Sequence, residues 1–199
     1  MERSFDLVAG TAFPPLASGV IVTTSVSGLG IVVGNPKPQS RTLAVARAVA
    51  HAAAGAAGLD VDDVVEVDLA PLAPRLFDWS AADVADAVAR IADTDLLVVA
   101  SPTYKASYTG LLKAFLDWYG TTGLAGVTAV PVMVGAGAAH ALAVEVHLRP
   151  VLIEIGATVP ARGLYVTEDQ LGDLQAVIDS WLVEAAPLLR ATTGGPAGS

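Results

Sequence analysis

Three short segments of this 199-residue chain gather residue types that bind anions and flat rings. The first is Gly34-Asn35-Pro36-Lys37-Pro38-Gln39-Ser40-Arg41-Thr42, where two cations, side-chain amides and two hydroxyls stand just ahead of an Ala-rich helical stretch. A helix N-terminus leaves its first N–H groups without partners and carries the positive end of the helix dipole, which together suit a phosphate. Lys37, Gln39, Ser40, Arg41 and Thr42 add donors at that place. The same residues also make a proline-stiffened turn with a serine cap and solvated charges, and the loop alone does not choose between the two. It lacks the G-x-x-x-x-G-K-[ST] spacing of a P-loop.

The second segment, Ser101-Pro102-Thr103-Tyr104-Lys105-Ala106-Ser107-Tyr108-Thr109-Gly110, follows a wholly apolar run. Extended backbone after Pro102 offers N–H groups to the edge of a planar heterocycle, and an aromatic side chain can cover its face. Tyr104 and Tyr108 can equally pack locally in a plain connection. The third segment, Val134-Gly135-Ala136-Gly137-Ala138-Ala139-His140, lets backbone approach a ligand closely because two side chains are missing. It is not a dinucleotide fingerprint, since His140 stands where the third small residue belongs. His140 reads as a helix-start histidine hydrogen-bonded locally rather than as a catalytic group.

These segments need elements to hold them at one edge, and the hydropathy pattern supplies a regular alternation. Leu29–Val33, Val64–Leu69, Leu96–Ala100, Val127–Val134 and Ala157–Val166 read as five strands. Between and after them, helices are expected from a Ser40 cap to about Ala57 with Gly58 as the stop, and from a Ser80 cap to about Ala92. Further helices are expected over Gly110–Trp118, from the Gly135/Gly137 pair to about Ile155, and over Glu168–Leu189. Strands apolar on both faces and alternating with helices predict an α/β fold. Its five-stranded parallel sheet is doubly wound in the flavodoxin-like manner, with helices on both faces. In such a sheet the ligand sits beyond the carboxyl ends of the strands, where the strand order reverses. The three segments follow strands one, three and four.

Composition narrows the classes further. Without cysteine, thiolate nucleophiles, disulfides and iron–sulfur clusters are excluded. Eleven Lys+Arg against 20 Asp+Glu give a net charge of -9, which repels nucleic acid and anionic membranes. The mean hydropathy of +0.58 comes largely from Ala and Val spread along the chain. The uncharged stretch Leu7–Pro36 is broken by Pro14, Pro15 and glycines, so no spanning helix is expected. Glu2 and Asp6 offset Arg3 where a signal peptide would be basic, and a cytoplasmic protein is expected. Residues 1–27 read as a flexible arm, residues 28–190 as one folded domain, and residues 191–199 as a disordered tail.

The three segments, the second continued through Leu111-Leu112-Lys113-Ala114-Phe115-Leu116-Asp117 and the third followed by Leu148-Arg149-Pro150-Val151-Leu152, resemble the NAD(P)H-dependent FMN reductase family. The similarity is to the branch that supplies reduced flavin to two-component monooxygenases of the alkanesulfonate type. It spans about residues 28–190. The resemblance implies an NAD(P)H:FMN oxidoreductase with NADPH or NADH as hydride donor and a flavin-dependent monooxygenase as partner. Lys37 (where the family commonly has Arg), Ser40 and Thr42 would hold the FMN phosphate, with Gln39 and Arg41 close by. Pro102, Thr103, Tyr104 and Lys105 would line the isoalloxazine ring, with Gly135 and Ala136 on its other side. No residue of the protein is assigned a catalytic role, and no metal is implied. The third segment departs from the branch's T-G-G-[ST] pattern. Tyr108 matches an aromatic at a subunit interface, implying a homo-oligomer, dimer or tetramer, in which Leu148–Ile155 is buried and Asp78 and Trp79 reach a neighbour's site. An FMN-retaining quinone or azo-dye reductase and a flavodoxin-like electron carrier are the competing functions on this fold.

Overall fold

The computed structural model describes residues 28–59, 61 and 63–193; the arm over residues 1–27 and residues 194–199 of the tail lie outside the described residues. Five strands, β1 (Leu29–Val33), β2 (Val64–Asp68), β3 (Leu96–Pro102), β4 (Thr128–Gly135) and β5 (Leu164–Thr167), form one sheet in the order β2-β1-β3-β4-β5. Every pairing is parallel. The order reverses between β1 and β3, so the crevice of the flavodoxin-like fold opens beyond Val33 and Pro102.

β1, β3 and β4 are buried along their whole length, as strands covered on both faces must be. Alternate residues feed two cores. Ile31, Val33, Val98, Ala100 and Val132 pack with α1 (Arg41–Ala57) and α5 (Leu174–Thr193). Val32, Leu97, Val99 and Met133 pack on the other face with α2 (Ala82–Ala92), α3 (Gly110–Leu116) and α4 (Arg149–Glu154).

α1 begins and ends as its sequence predicts. Ser40 Oγ accepts the Leu43 N–H at 3.2 Å, and Gly58 adopts a left-handed φ of 77°. Other boundaries differ. α2 starts one residue later than expected, after Ala81, which supplies no side-chain cap, and Ser80 Oγ donates to Asp78 Oδ1 at 2.6 Å in the preceding turn. The expected helix after Gly135 is broken into a single turn at Ala138–His140, a π turn at Val144–Leu148 and α4. Pro150, lacking an N–H, removes a rung from the helical ladder where π gives way to α. β5 is shorter than expected: Ala157–Gly163 pairs with the sheet only through the Thr128–Thr158 bridge. Glu168–Asp173 is a 3₁₀ segment leading into α5, which continues through Ala191, Thr192 and Thr193 rather than stopping at Leu189. The Thr192 and Thr193 hydroxyls bond the Leu189 carbonyl at 3.1 and 2.9 Å and hold this last turn.

Beyond α3, Trp118 Nε1 donates to the Leu76 carbonyl at 2.8 Å and Tyr119 Oη donates to the Val88 carbonyl at 3.1 Å. Burial pushes the Tyr119 hydroxyl above its ordinary value of 10.0. Its neutral form therefore favours the folded state, and stability should fall as the pH rises above 10, where the unfolded chain loses this proton first. The slope from this one group is at most about 1.4 kcal/mol per pH unit. Tyr119→Phe should lose about 1 kcal/mol at neutral pH and show a flatter alkaline decline in urea titrations run from pH 8 to 11. An unchanged alkaline slope would show that Tyr119 does not carry this dependence.

Candidate functional site

The carboxyl ends of β1, β3 and β4 meet around a cavity of about 350 Å³. Its base is the loop between β1 and α1. Asn35 is buried, and its Nδ2 donates to Thr42 Oγ1 at 3.0 Å while its Oδ1 accepts the Lys37 N–H at 2.9 Å. Gln39 takes a left-handed φ of 51°, and its N–H donates to Asp68 Oδ2 at 3.1 Å, so the end of β2 fixes the loop. The Ser40 and Thr42 hydroxyls each accept one bond inside the loop and so keep an O–H donor for a ligand. The Arg41 and Thr42 N–H groups precede the first intrahelical bond, which runs from Ala44 to the Ser40 carbonyl at 3.2 Å. The result is a cradle of backbone and hydroxyl donors for an anion, with Lys37 and Arg41 at its exposed rim.

The side wall comes from the loop after β3. The Thr103 N–H bonds the Val134 carbonyl at 2.7 Å, leaving its Oγ1 buried without a hydrogen-bond partner among the described residues. An unpaired buried hydroxyl costs about 1–3 kcal/mol unless a ligand or water completes it. Tyr104 is half exposed beside it. Tyr104 and Ser107 exchange bonds at 2.8 and 3.1 Å, closing a two-residue turn whose central residues, Lys105 and Ala106, have φ of 49° and 67°. A type I′ turn requires positive φ at both centres, and neither residue here is glycine.

Gly135 and Ala136 stand beside Thr103 rather than across from it, because Pro102 and Val134 are paired in register at the ends of β3 and β4. A Cβ on Gly135 would lie 1.9 Å from Tyr165 Oη, so only glycine admits this tyrosine, whose hydroxyl donates to the Gly137 carbonyl at 3.1 Å.

Of the residues singled out in the sequence, Lys37, Gln39, Ser40, Arg41, Thr42, Pro102, Thr103, Tyr104, Gly135 and Ala136 line this one cavity. Lys105 lies outside its lining, on the exposed turn. Tyr108 is half-buried against the core, and burial raises its hydroxyl pKa. His140 is exposed, and its side chain makes no hydrogen bond among the described residues. Sequence reasoning missed Asn35, Val134 and Glu168 in the lining. The signal for Glu168 was its place directly after a fifth strand pointing the same way.

Larger hollows lie along β5 and α5, about 610 Å³, and between α3 and α4, about 530 Å³. Neither lies at the reversal of strand order, and neither holds the unpartnered hydroxyl. Among the described residues no helix is long and apolar enough to cross a membrane.

A five-stranded parallel sheet in this order, with a cavity at its reversal point, is of the flavodoxin-like class. The family model for NADPH-dependent FMN reductases matches residues 28–171, and the chain belongs to that family. An FMN reductase (NADPH) of Pseudomonas putida is 35% identical over 95 residues, 48% of each chain. A second, from Escherichia coli, is 37% identical over 84 residues, 42% of this chain and 44% of that one. The match thus spans about half the length of these two curated relatives. The NADH-dependent FMN reductase SfnF of Pseudomonas putida is 34% identical over 151 residues, 73% of this chain and 80% of that protein. Among solved structures, an NADH:FMN oxidoreductase (EMOB) in its apo form superposes with a TM-score of 0.67 at 30% identity, covering 86% of this chain and 92% of that one.

The residues present fit FMN chemically. The cradle of N–H and O–H donors suits the phosphate, and the unpaired Thr103 hydroxyl can bond a polar ring edge. Gly135, whose missing Cβ leaves the Tyr165 hydroxyl and Thr103 in close packing, lies beside Thr103 at the rim of the same cavity.

Two consecutive non-glycine residues at positive φ are strained, by about 1–2 kcal/mol each before any local compensation. Lys105→Asn with Ala106→Gly should therefore raise the melting temperature by about 2–4 °C for each kcal/mol relieved in a chain of this size. Differential scanning calorimetry checks this. An unchanged or lower melting temperature would mean that the turn carries no such strain.

Proposed function

We propose that this protein is an NAD(P)H-dependent FMN reductase that binds FMN at the α1 cradle and passes the reduced flavin to a flavin-dependent monooxygenase. The observation that carries the reading is the convergence, in one cavity, of free α1 donors with the unpartnered Thr103 hydroxyl. FMN, when bound, supplies the hydride-accepting chemistry, as cofactors do in this class of enzyme.

The work left to the chain is positioning. Ser40, Arg41 and Thr42 would anchor the phosphate through N–H and O–H groups, with Lys37 and Gln39 at its rim. Pro102, Thr103 and Tyr104, with Gly135 and Ala136 beside them, would line the ring. The half-exposed Tyr104 leaves room at the mouth for the nicotinamide of NADPH or NADH to come against the ring. The monooxygenase partner is supported by the likeness of the three segments together to the flavin-supplying branch.

We also infer a homo-oligomer. Leu148, Leu152 and Ile155 are consumed by the protein's own core, whereas Leu142, Val146 and Ile153 on the same stretch are exposed and suit a second copy. Tyr108 would stand near that contact. A cytoplasmic setting suits an enzyme that consumes nicotinamide cofactor and contains no cysteine.

NAD(P)H oxidation followed at 340 nm, with and without added FMN, tests the function. A colourless protein whose rate saturates with added FMN is the expected result. A yellow protein that keeps its flavin through gel filtration and needs a quinone or azo acceptor would move it to the retained-flavin function. No FMN-dependent oxidation with either nucleotide would contradict the reading.

A further inference from the structure

Arg41, the first residue of α1, and Glu168, the residue after β5, are 127 positions apart and meet over the cradle. Arg41 Nη2 donates to Glu168 Oε1 at 2.8 Å, and both residues line the cavity that the free α1 donors face. Glu168 is not needed where it stands for local structure. The turn after β5 is capped by Thr167 and Gln170, whose Oε1 accepts the Thr167 N–H at 2.9 Å. The only hydrogen-bond partner of the Glu168 carboxylate among the described residues is Arg41. Nor does the pair contribute much to stability, since both side chains are largely exposed, at 67% and 47%. A carboxylate at the wall of an anion site, cancelling one of its two cations, has its main effect on the anion.

Resting on the flavin-reductase reading, we propose that Glu168 sets the strength of phosphate binding, holding it low enough for the flavin to leave. Glu168 acts in two ways that share a sign. It occupies a donor of Arg41 that a phosphate would otherwise take, and its own charge repels a dianion arriving at the Ser40–Thr42 cradle. The guanidinium keeps further N–H donors, so FMN still binds with Glu168 in place. Lys37 and the backbone amides attract the phosphate without being opposed by it. The net effect is a site that recognises a phosphorylated flavin yet does not retain it, which a reductase delivering its product elsewhere requires.

The test is equilibrium binding by flavin fluorescence quenching, with FMN and riboflavin as probes, on wild type, Glu168→Gln and Glu168→Ala. Riboflavin lacks the phosphate and reports the ring subsite alone. Both substitutions should tighten FMN by about three- to tenfold at low salt, as expected for removing one charge beside a dianion at a solvated site. Riboflavin affinity should not change, and the gain should shrink at high salt. FMN affinity that is unchanged or weaker in both variants would overturn the proposal, because Glu168 would then orient Arg41 rather than oppose the phosphate. Equal tightening of riboflavin would overturn it too, by placing the effect in the ring subsite. Wild type that binds neither probe would instead remove the flavin-reductase reading itself, and the proposal with it.

Discussion

The site depends on the contact between the end of β1 and the start of α3. Thr109 caps α3 by accepting the Leu112 N–H at 3.1 Å, and the same hydroxyl donates to the Gly34 carbonyl. Its own N–H is held by Ser101 Oγ at 3.0 Å, and that hydroxyl donates to the Pro102 carbonyl at 2.9 Å. A Cβ on Gly34 would lie 2.4 Å from Leu112 Cβ, so α3 can approach only because residue 34 has no side chain. Two buried hydroxyls and one glycine therefore fix the spacing between the loop before α1 and the loop after β3. Breaking either hydroxyl link would leave buried polar groups unpaired, at about 1–3 kcal/mol each, and would let the two loops separate.

That fixed spacing explains why the polar interior is so economical. Asn35 spends both ends of its amide on the loop that carries it, and Ser40 spends its acceptor on the helix cap. What remains free points one way: amide and hydroxyl donors toward the cavity. The acidic surface of the protein, with a net charge of -9, makes this local concentration of donors the place where an anion is attracted rather than repelled. Glu168 tempers that attraction at the rim.

Much of this was legible in the residues. Strands apolar on both faces announced a parallel sheet, and the rule that ligands gather beyond strand ends directed attention to Gly34–Thr42, Ser101–Gly110 and Val134–His140. The Ser40 cap and the Gly58 stop each have a local physical cause, and both stand where the residues put them. Other features escaped. The turn at Lys105-Ala106 holds positive φ without the glycine or asparagine that would advertise it. The π turn at Val144–Leu148 arises within one continuous helical pattern. Glu168 is one of 20 acidic residues, and only the fold brings it to Arg41. The helix expected from Ser80 starts after Ala81 instead, with the serine hydroxyl donating to Asp78 in the turn before it.

The claim on which the rest stands is that the α1 N-terminus receives the flavin phosphate while the β3 loop receives the ring. Amide resonances of 15N-labelled protein, followed during titration with FMN and then with riboflavin, test it most directly. FMN should shift the amides of Gln39–Thr42 together with those of Thr103–Lys105, and riboflavin should shift the second group alone. Shifts confined to the α3–α4 cleft or to the groove beside α5, with Ser40–Thr42 silent, would contradict it.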